Sequence, residues 1–420
     1  MPKFERLAGF CRTLAGSAPL KAGALWLGSL LFVVGWLPSP KALAQQPPVD
    51  FQSSQPSIAQ DADPKTTAEK IEAYMAARRA FEDEKISYWT RVAAKRIKRL
   101  EKLGRRQALI AEDYELAQPP VYSGPPNPKP VERDETKPEL SKYIPVVADF
   151  LEASRDNFQF APDQPLTDAM FKKAYARAAA AAGLSKDQIV RIYAFETGGN
   201  GTFDVQAGLE NRASPNARAI STAIGYNQLL HVNTVELLAE KGDRFVSALK
   251  KKVERALPTE RASIKTKLAV LLRMIEFARS VPDEWAAHEK LANAGAGLGV
   301  HALNLDADIG PLLQVEVLVT SLVFAKRRGI SRTLTGAELE MMNLTGDGNG
   351  FDMIAMPILL RSQVPTSNFF QPAGYERNPV AIRNNTVKSL LAATNRQMDR
   401  ASEAPGAREL ANLFDTVTGR

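Results

Sequence analysis

Apolar side chains recur every three to five positions along most of the chain, and this spacing predicts a mainly helical protein. The pattern predicts one helical domain over residues 139–400 and a C-terminal tail over residues 401–420. Strand patterns are weak, and residues 197–230 are predicted to form loops with a small β element. The long helices are predicted near 142–156, 167–182, 186–196, 234–256, 260–280 and 311–328.

Capping side chains mark several of these helix boundaries. In a capping box, a side chain at the helix start and another three residues later each bind a free backbone amide. Gly183 and Gly329 are predicted to end two helices, because glycine readily adopts the left-handed backbone found there. The predicted capping boxes are Ser185 with Gln188, Asn233 with Glu236, and Thr335 with Glu338.

The N-terminal residues have the pattern of an export signal. A basic stretch precedes the apolar residues 24–37, and Ala42-Leu43-Ala44 has the small-x-small form of a cleavage site. The apolar stretch is shorter than the roughly 20 residues that a membrane-spanning helix needs. We therefore expect a signal peptide over residues 1–44 and a periplasmic or otherwise extracytoplasmic location, with an uncleaved membrane anchor as the alternative. Residues 45–63, rich in Gln, Ser, Asp and Pro, are predicted to be disordered.

Residues 64–118 are predicted to form an extended, charged helical arm ahead of the helical domain. Between Arg91 and Arg106 the sequence has eight basic residues and one acid. This arm is a candidate coiled-coil or docking surface for an envelope protein, for anionic wall polymer or for a membrane surface, and the alternative is a solvated helix face. Residues 119–138 contain seven prolines and are predicted to be a stiff linker.

Charge and composition exclude several functional classes. The net charge is +7, of which residues 1–44 carry +4, so a nucleic-acid-binding role has little support. The single cysteine and three scattered histidines lack the spacing of a zinc site. The series Asn304-x-Asp306-x-Asp308 begins like a calcium loop but departs from that motif at Ile309 and Val315. We expect neither a metal nor a cofactor.

Candidate chemistry centres on Glu196. A helix beginning after Ser185 places Ile189, Ile192, Tyr193 and Glu196 on one face, so the carboxyl group continues an apolar stripe. Burial and the negative end of the helix dipole both raise a carboxyl pKa. A carboxylic acid that stays protonated near neutral pH is a suitable general acid. The alternative is a glutamate that turns out into water at the helix end.

The neighbourhood of Glu196 resembles the lytic transglycosylases of the lysozyme-like superfamily. Glu196-Thr197-Gly198 is similar to the family's Glu-Ser-Gly motif, with Thr for Ser, and residues 223–228, Ala-Ile-Gly-Tyr-Asn-Gln, are similar to the Gly-Ala-x-Gly-x-x-Gln motif. Residues 342–346, Met-Asn-Leu-Thr-Gly, stand where the family has a Tyr-Asn-Ala-Gly step, with Met for Tyr, and the proline common near residues 231–234 is missing. The resemblance covers residues 166–355.

The resemblance implies a lysozyme-like catalytic domain that cleaves the β-1,4 bond between N-acetylmuramic acid and N-acetylglucosamine in peptidoglycan glycan strands. Glu196 is the implied general acid and base, and the product is a 1,6-anhydro sugar. The implied substrate-binding residues are Gln228, Asn343 and Tyr226, with Gln228 and Asn343 alternatively holding Glu196. Tyr375, in a predicted loop over residues 372–379, is a further candidate. Turn-stabilising roles are the alternative for these side chains.

The sequence is also compatible with two other functions. A lysozyme-type hydrolase on the same fold would use the same motif residues, because either water or the sugar's 6-hydroxyl can attack. A non-catalytic envelope scaffold would use the lysozyme-like domain only to bind peptidoglycan.

Overall fold

A computed structural model describes residues 67–128, 143–210 and 217–419. The predicted signal peptide, the predicted disordered stretch and the end of the Pro-rich stretch lie outside these ranges. The described residues form a mainly helical protein, which confirms the predicted helical class.

The described residues form fifteen α-helices, with short 3₁₀ turns between some of them. In chain order they are α1 (Thr67–Gly104), α2 (Val147–Phe158), α3 (Asp168–Ala181), α4 (Lys186–Thr197), α5 (His231–Arg255), α6 (Pro258–Ala278), α7 (Trp285–Ala292), α8 (Gly295–His301), α9 (Gly310–Arg327), α10 (Gly336–Thr345), α11 (Asp347–Ala355), α12 (Pro372–Glu376), α13 (Pro379–Arg383), α14 (Val387–Ser402) and α15 (Pro405–Thr418).

The predicted long helices are all present, with boundaries that differ from the predictions by a few residues. Two predicted capping boxes are confirmed, Ser185 with Gln188 at the start of α4 and Thr335 with Glu338 at the start of α10. The third is wrong. Helix α5 begins at His231, so Asn233 lies inside its first turn, where its side chain accepts a hydrogen bond from the Leu230 amide.

The small β element is present as two isolated antiparallel bridges, one between Gln206 and Ile224 and one between Ile224 and Leu229. The tight turn between the bridged residues needs a left-handed backbone at Gly225. A Cβ atom at this position would lie 2.5 Å from the buried Gln314 side chain of α9. Glycine therefore allows this turn to lie directly against the central helix.

Two large apolar clusters fill most of the interior, and two smaller ones lie beside them. One large cluster surrounds α4 and includes residues of α3, α9, α10, α14 and α15, and the other lies between α5, α6 and the α8–α9 segment. Helix α9 contributes to both clusters and runs between them. Among the described residues no single helix has the length and apolar character needed to cross a membrane, although α8 with its following 3₁₀ turn and α9 meet that criterion jointly, with a bend of 97°.

Helix α1 is not the extended arm that the sequence predicted. Its C-terminal half lies against the helical domain, with Tyr88, Val92 and Arg99 almost completely buried. The start of the Pro-rich stretch also folds back, since the Tyr122 ring lies 5.5 Å from the Phe81 ring of α1. The high charge of the segment suggested a free helix, but its buried face recurs at intervals of four and seven residues. Docking of a partner to the outer face of α1 remains a prediction.

Arg99 accounts for much of this attachment. Its guanidinium is fully buried, donates to the Asp352 carboxylate at 2.7 Å and lies 4.6 Å from the centre of the Tyr114 ring. It also donates to the carbonyl oxygens of Asp113 and Asn368 at 3.0 and 3.1 Å. Two regions of the chain more than 230 residues apart, 99–114 and 352–368, therefore meet around one arginine.

The predicted tail over residues 401–420 is also corrected. Helix α15 fills most of this range and buries Ala407, Leu410 and Phe414 against the cluster around α4. The Lys172 ammonium of α3 adds an ion pair to Glu409 at 2.6 Å. The helical domain therefore extends well beyond residue 400.

The calcium-like series has a different structural explanation. The ammonium group of Lys267, on α6, lies within 2.9 Å of carboxylate oxygens of Asp163, Asp306 and Asp308. Asp306 is fully buried, and Asp308 also forms an ion pair with Lys252. The positive charge that a buried acidic loop needs is therefore supplied by lysine side chains.

Candidate active site

Glu196 lies in the last turn of α4, as the sequence predicts. Ile189, Ile192 and Tyr193 on the same helix are completely buried and fix this face of α4 in the core. The helix ends at Thr197 because Gly198 adopts a left-handed backbone, and the Thr197 hydroxyl donates to the Tyr193 carbonyl at 2.7 Å. Glu196 itself is partly exposed at this helix end.

Two side chains of α10 meet the Glu196 carboxyl group. The Asn343 amide donates a hydrogen bond to Glu196 Oε1 at 3.4 Å. The carboxyl group of Glu340, one turn earlier on α10, is within hydrogen-bonding reach of Glu196 and is itself fully buried. The site is therefore a pair of adjacent carboxyl groups with one amide.

Protonation of this pair is favoured by its surroundings. Burial raises the pKa of Glu196 well above its ordinary value, and the neighbouring Glu340 carboxyl raises it further. Burial likewise raises the pKa of Glu340, to about 8. The nearby Asn343 amide opposes these effects without cancelling them. At neutral pH the pair retains at least one proton, which satisfies the requirement for a general acid at Glu196.

A cavity of about 520 Å³ is lined by Asn343, whose amide contacts Glu196, although Glu196 and Glu340 are not themselves among its lining residues. Its wall contains polar side chains that can form hydrogen bonds with hydroxyl groups, and it also contains aromatic rings. A ligand site of this kind, with apolar surface and a few convergent polar groups, suits an organic molecule rather than an ion. The amides include Asn233, Asn349, Gln371 and Asn378, and the aromatic residues are Trp285, Phe369 and Phe370.

Three acidic residues also line the cavity. They are Glu236 and Glu240 of α5 and Asp347 at the start of α11. Burial raises the pKa of Glu236 to about 7, with a smaller contribution from repulsion by the neighbouring acids. Burial also raises the pKa of Asp347, whose carboxylate accepts a hydrogen bond from Ser321 at 2.6 Å. Carboxylate and amide oxygens accept hydrogen bonds from neutral hydroxyl groups, which a sugar supplies in number.

Helix α1 supports one wall of the cavity. Arg96 donates to the carbonyl of Phe370 at 2.7 Å, and Arg99 and Arg96 both donate to the carbonyl of Asn368. Asp352, the ion-pair partner of Arg99, belongs to the helix whose first turn also lines the cavity. The basic residues of α1 thus hold two wall segments of the cavity in place, a role that its sequence did not reveal.

Two of the predicted substrate-binding residues lie away from the cavity. Tyr226 is completely buried, its hydroxyl donates to Asp168 at 2.8 Å, and its ring contacts that of Tyr193 edge-on at 4.9 Å. Gln228 donates to the carbonyl oxygens of Gly225 and Val205, which stabilises the tight turn. No hydrogen bond joins Gln228 to Glu196 in the described chain. Gln228 therefore has the turn-stabilising role that was the alternative, and Tyr226 is a core residue.

The prediction for Tyr375 is also corrected. It belongs to the short helix α12 rather than to a loop, and only 6% of its surface is exposed. Its ring packs against Trp89 of α1 and against Phe370. The neighbouring residues Ala373 and Gly374 line the cavity, so Tyr375 supports the wall from behind.

Asn343 is the predicted substrate-binding residue that the structure does place next to Glu196 and on the cavity wall. Glu340 was missed by the sequence reasoning. Its signal was an acid within the apolar run Leu339, Met341 and Met342, at the i and i+3 spacing that brings it onto the face of Asn343.

Within the described ranges, no group of three or more His, Cys, Asp or Glu side chains is arranged to hold a metal ion. The acids of the cavity therefore do not form such a cluster. Comparison with known proteins found no matching family model, no similar curated protein and no similar solved structure.

Proposed function

We propose that this protein is an exported lytic transglycosylase that cleaves the β-1,4 bond between N-acetylmuramic acid and N-acetylglucosamine in peptidoglycan. The observation that carries the proposal is that Asn343 both donates to the Glu196 carboxyl group, whose pKa is raised by burial, and lines a cavity with polar and aromatic walls. The resemblance of residues 166–355 to the lysozyme-like lytic transglycosylases supports the choice of substrate. The proposed location outside the cytoplasm follows from the signal-like residues 1–44.

In the proposed reaction, the Glu196 carboxyl group donates its proton to the bridging oxygen as the bond from that oxygen to the anomeric carbon breaks. The Glu196 carboxylate then accepts the proton of the muramic 6-hydroxyl group. As that proton leaves, the 6-oxygen of the sugar bonds to the same anomeric carbon. Glu196 regains its proton and the product ends in a 1,6-anhydro sugar. Asn343 donates to the carboxylate form of Glu196 between the two steps.

Glu340 does not supply a second catalytic carboxylate. Its side chain has no exposed surface, so it cannot contact a sugar. Retaining glycosidases place two carboxyl groups about 5–5.5 Å apart on either side of the scissile bond. Here Glu340 is fully buried and only Glu196 is partly exposed, an arrangement that suits chemistry at a single acid.

A lysozyme-type hydrolase is the second candidate, and the acids of the cavity favour it. Glu236 and Asp347 line the same cavity as Asn343, and a carboxylate there could activate a water molecule. With water as the attacking group, the muramic end is reducing rather than anhydro.

The mass of the products separates the two reactions. Purified peptidoglycan digested with the full-length protein is expected to yield fragments with 1,6-anhydro muramic ends, each lighter by one water than a reducing end. Liquid chromatography with mass spectrometry measures this difference directly. Fragments with reducing ends alone would establish the hydrolase, and the absence of soluble fragments would contradict both enzymatic functions.

A further inference from the structure

Glu340 is buried without a protein donor for its carboxyl group. Neither of its oxygens accepts a hydrogen bond from an N–H or hydroxyl group of the described chain. Its side chain is fully enclosed, and the polar side chains beside it are the Glu196 carboxyl group and the Asn343 amide. A buried carboxylate without a donor is strongly disfavoured, so the group needs a proton.

Two adjacent carboxyl groups can be joined by a hydrogen bond when one of them carries a proton, because only the protonated group has an O–H to donate. Two such acids lose their protons as a coupled pair rather than independently. Loss of the first proton is easier than loss of the second, because the remaining proton then bridges the two groups. The second proton is retained because its loss leaves two adjacent negative charges.

Other charged groups near the pair have partners of their own. Helices α4, α9, α11 and α14 pack against α10. Among the described titratable groups, the partner carboxyl alone contributes to the pKa of each acid. The remaining acids and bases with partners on these elements are Lys186 with Asp415, Arg191 with Asp187 and Asp399, Glu316 with Arg244, Glu338 with Arg332 and Arg361, Asp347 with Ser321, and Asp352 with Arg99.

We propose that Glu340 is a positioning residue that shares one proton with Glu196 and thereby keeps Glu196 able to donate a proton at neutral pH. This inference rests on the proposed function, in which Glu196 is the general acid. It assigns to Glu340 the control of the pH range in which the enzyme works, without any contact between Glu340 and the substrate.

Glu340→Gln is the informative change. The glutamine amide at position 340 is similar in size to the carboxyl group that it replaces. It can donate a hydrogen bond to ionised Glu196, and it carries no negative charge. The pKa of Glu196 should therefore fall. Activity requires protonated Glu196 and is lost as pH rises through that pKa. We therefore expect the alkaline limb of the pH–rate profile to move to lower pH by about one unit or more.

Stability gives a second readout with a defined sign. Because the folded-state pKa of the pair is raised, its contribution to stability is fully present below about pH 4.5 and is lost as pH rises toward 8. We therefore expect the free energy of unfolding of the wild type to fall more between pH 5 and pH 8 than that of Glu340→Gln.

The test is a carbon-13 NMR titration of glutamate carboxyl carbons in the folded wild type and in Glu340→Gln, with Glu196→Gln used for assignment. The matched control is Glu338→Gln, an acid two residues away on α10 that is paired with Arg332 and Arg361. The pKa of Glu196 should fall by about one unit or more in Glu340→Gln and stay constant in Glu338→Gln. An unchanged pKa in Glu340→Gln overturns the inference.

The titration distinguishes this inference from the proposed function. If the Glu196 pKa falls as expected but the wild type releases no soluble glycan, proton sharing stands and the proposed function fails. If Glu340→Gln does not fold, the titration of Glu340 in Glu196→Gln serves in its place. There the remaining carboxyl group of Glu340 should titrate at a lower pH than the second, higher step of the wild-type pair, and titration at the same pH as that step overturns the inference.

Discussion

Glu196→Gln is expected to lower the rate of peptidoglycan cleavage by about 10²–10⁴-fold. Glutamine has nearly the same shape as glutamic acid, but it has no acidic proton for the bridging oxygen and cannot later accept the proton of the 6-hydroxyl. Release of soluble fragments from purified peptidoglycan, measured at pH 5 to 8, provides the rate. The thermal unfolding midpoint should stay close to the wild-type value or rise, since the change removes one of two adjacent acids.

Asp204→Asn is the matched control for this variant. Asp204 is the nearest acid downstream of Glu196, and its carboxylate accepts a hydrogen bond from Thr202 in the loop that follows α4. It does not line the cavity, so this variant should keep the wild-type rate within a few-fold. Equal rates in Glu196→Gln and in the wild type would remove Glu196 from the mechanism and favour the non-catalytic scaffold.

Arg99→Met is expected to lower the free energy of unfolding by about 3–5 kcal/mol. Methionine fills part of the space but leaves the buried Asp352 carboxylate without its cation, and it leaves the carbonyl oxygens of Asp113 and Asn368 without this donor. Denaturant unfolding followed by circular dichroism measures the change. Because Arg99 supports the cavity wall, the rate of glycan cleavage should also fall.

Arg79→Met, on the exposed surface of the same helix, should change stability by only about 0.5 kcal/mol or less. Adding Asp352→Leu to Arg99→Met removes the unpaired charge and should restore part of the lost stability. An Arg99→Met variant as stable as the wild type would show that α1 is not an integral part of the folded domain.

Local structure was predictable from the sequence because it depends on neighbouring residues. Periodic apolar positions identify helices α3, α4, α6 and α9. Capping side chains at Ser185 and Thr335 mark where α4 and α10 begin. The same argument placed Glu196 at the end of a buried stripe, next to the glycine that ends the helix.

Long-range partners were not predictable from local patterns. Arg99 looked like one member of a solvated basic run, since its partner Asp352 lies 253 residues away. The position of Glu340 beside Glu196 depends on the packing of α10 against α4, which local sequence patterns do not predict. The family resemblance implied that Tyr226 lines a cleft, but the rings of Phe171, Tyr175 and Tyr193 enclose it.

A crystal structure of Glu196→Gln with a peptidoglycan glycan fragment of four sugars tests the proposed mechanism most directly. The fragment should occupy the cavity beside Asn343, with one bridging oxygen within about 2.6–3.2 Å of the substituted side chain at position 196. A fragment bound elsewhere on the protein, with no glycosidic oxygen within reach of residue 196, would contradict a role for Glu196 in cleaving the glycan.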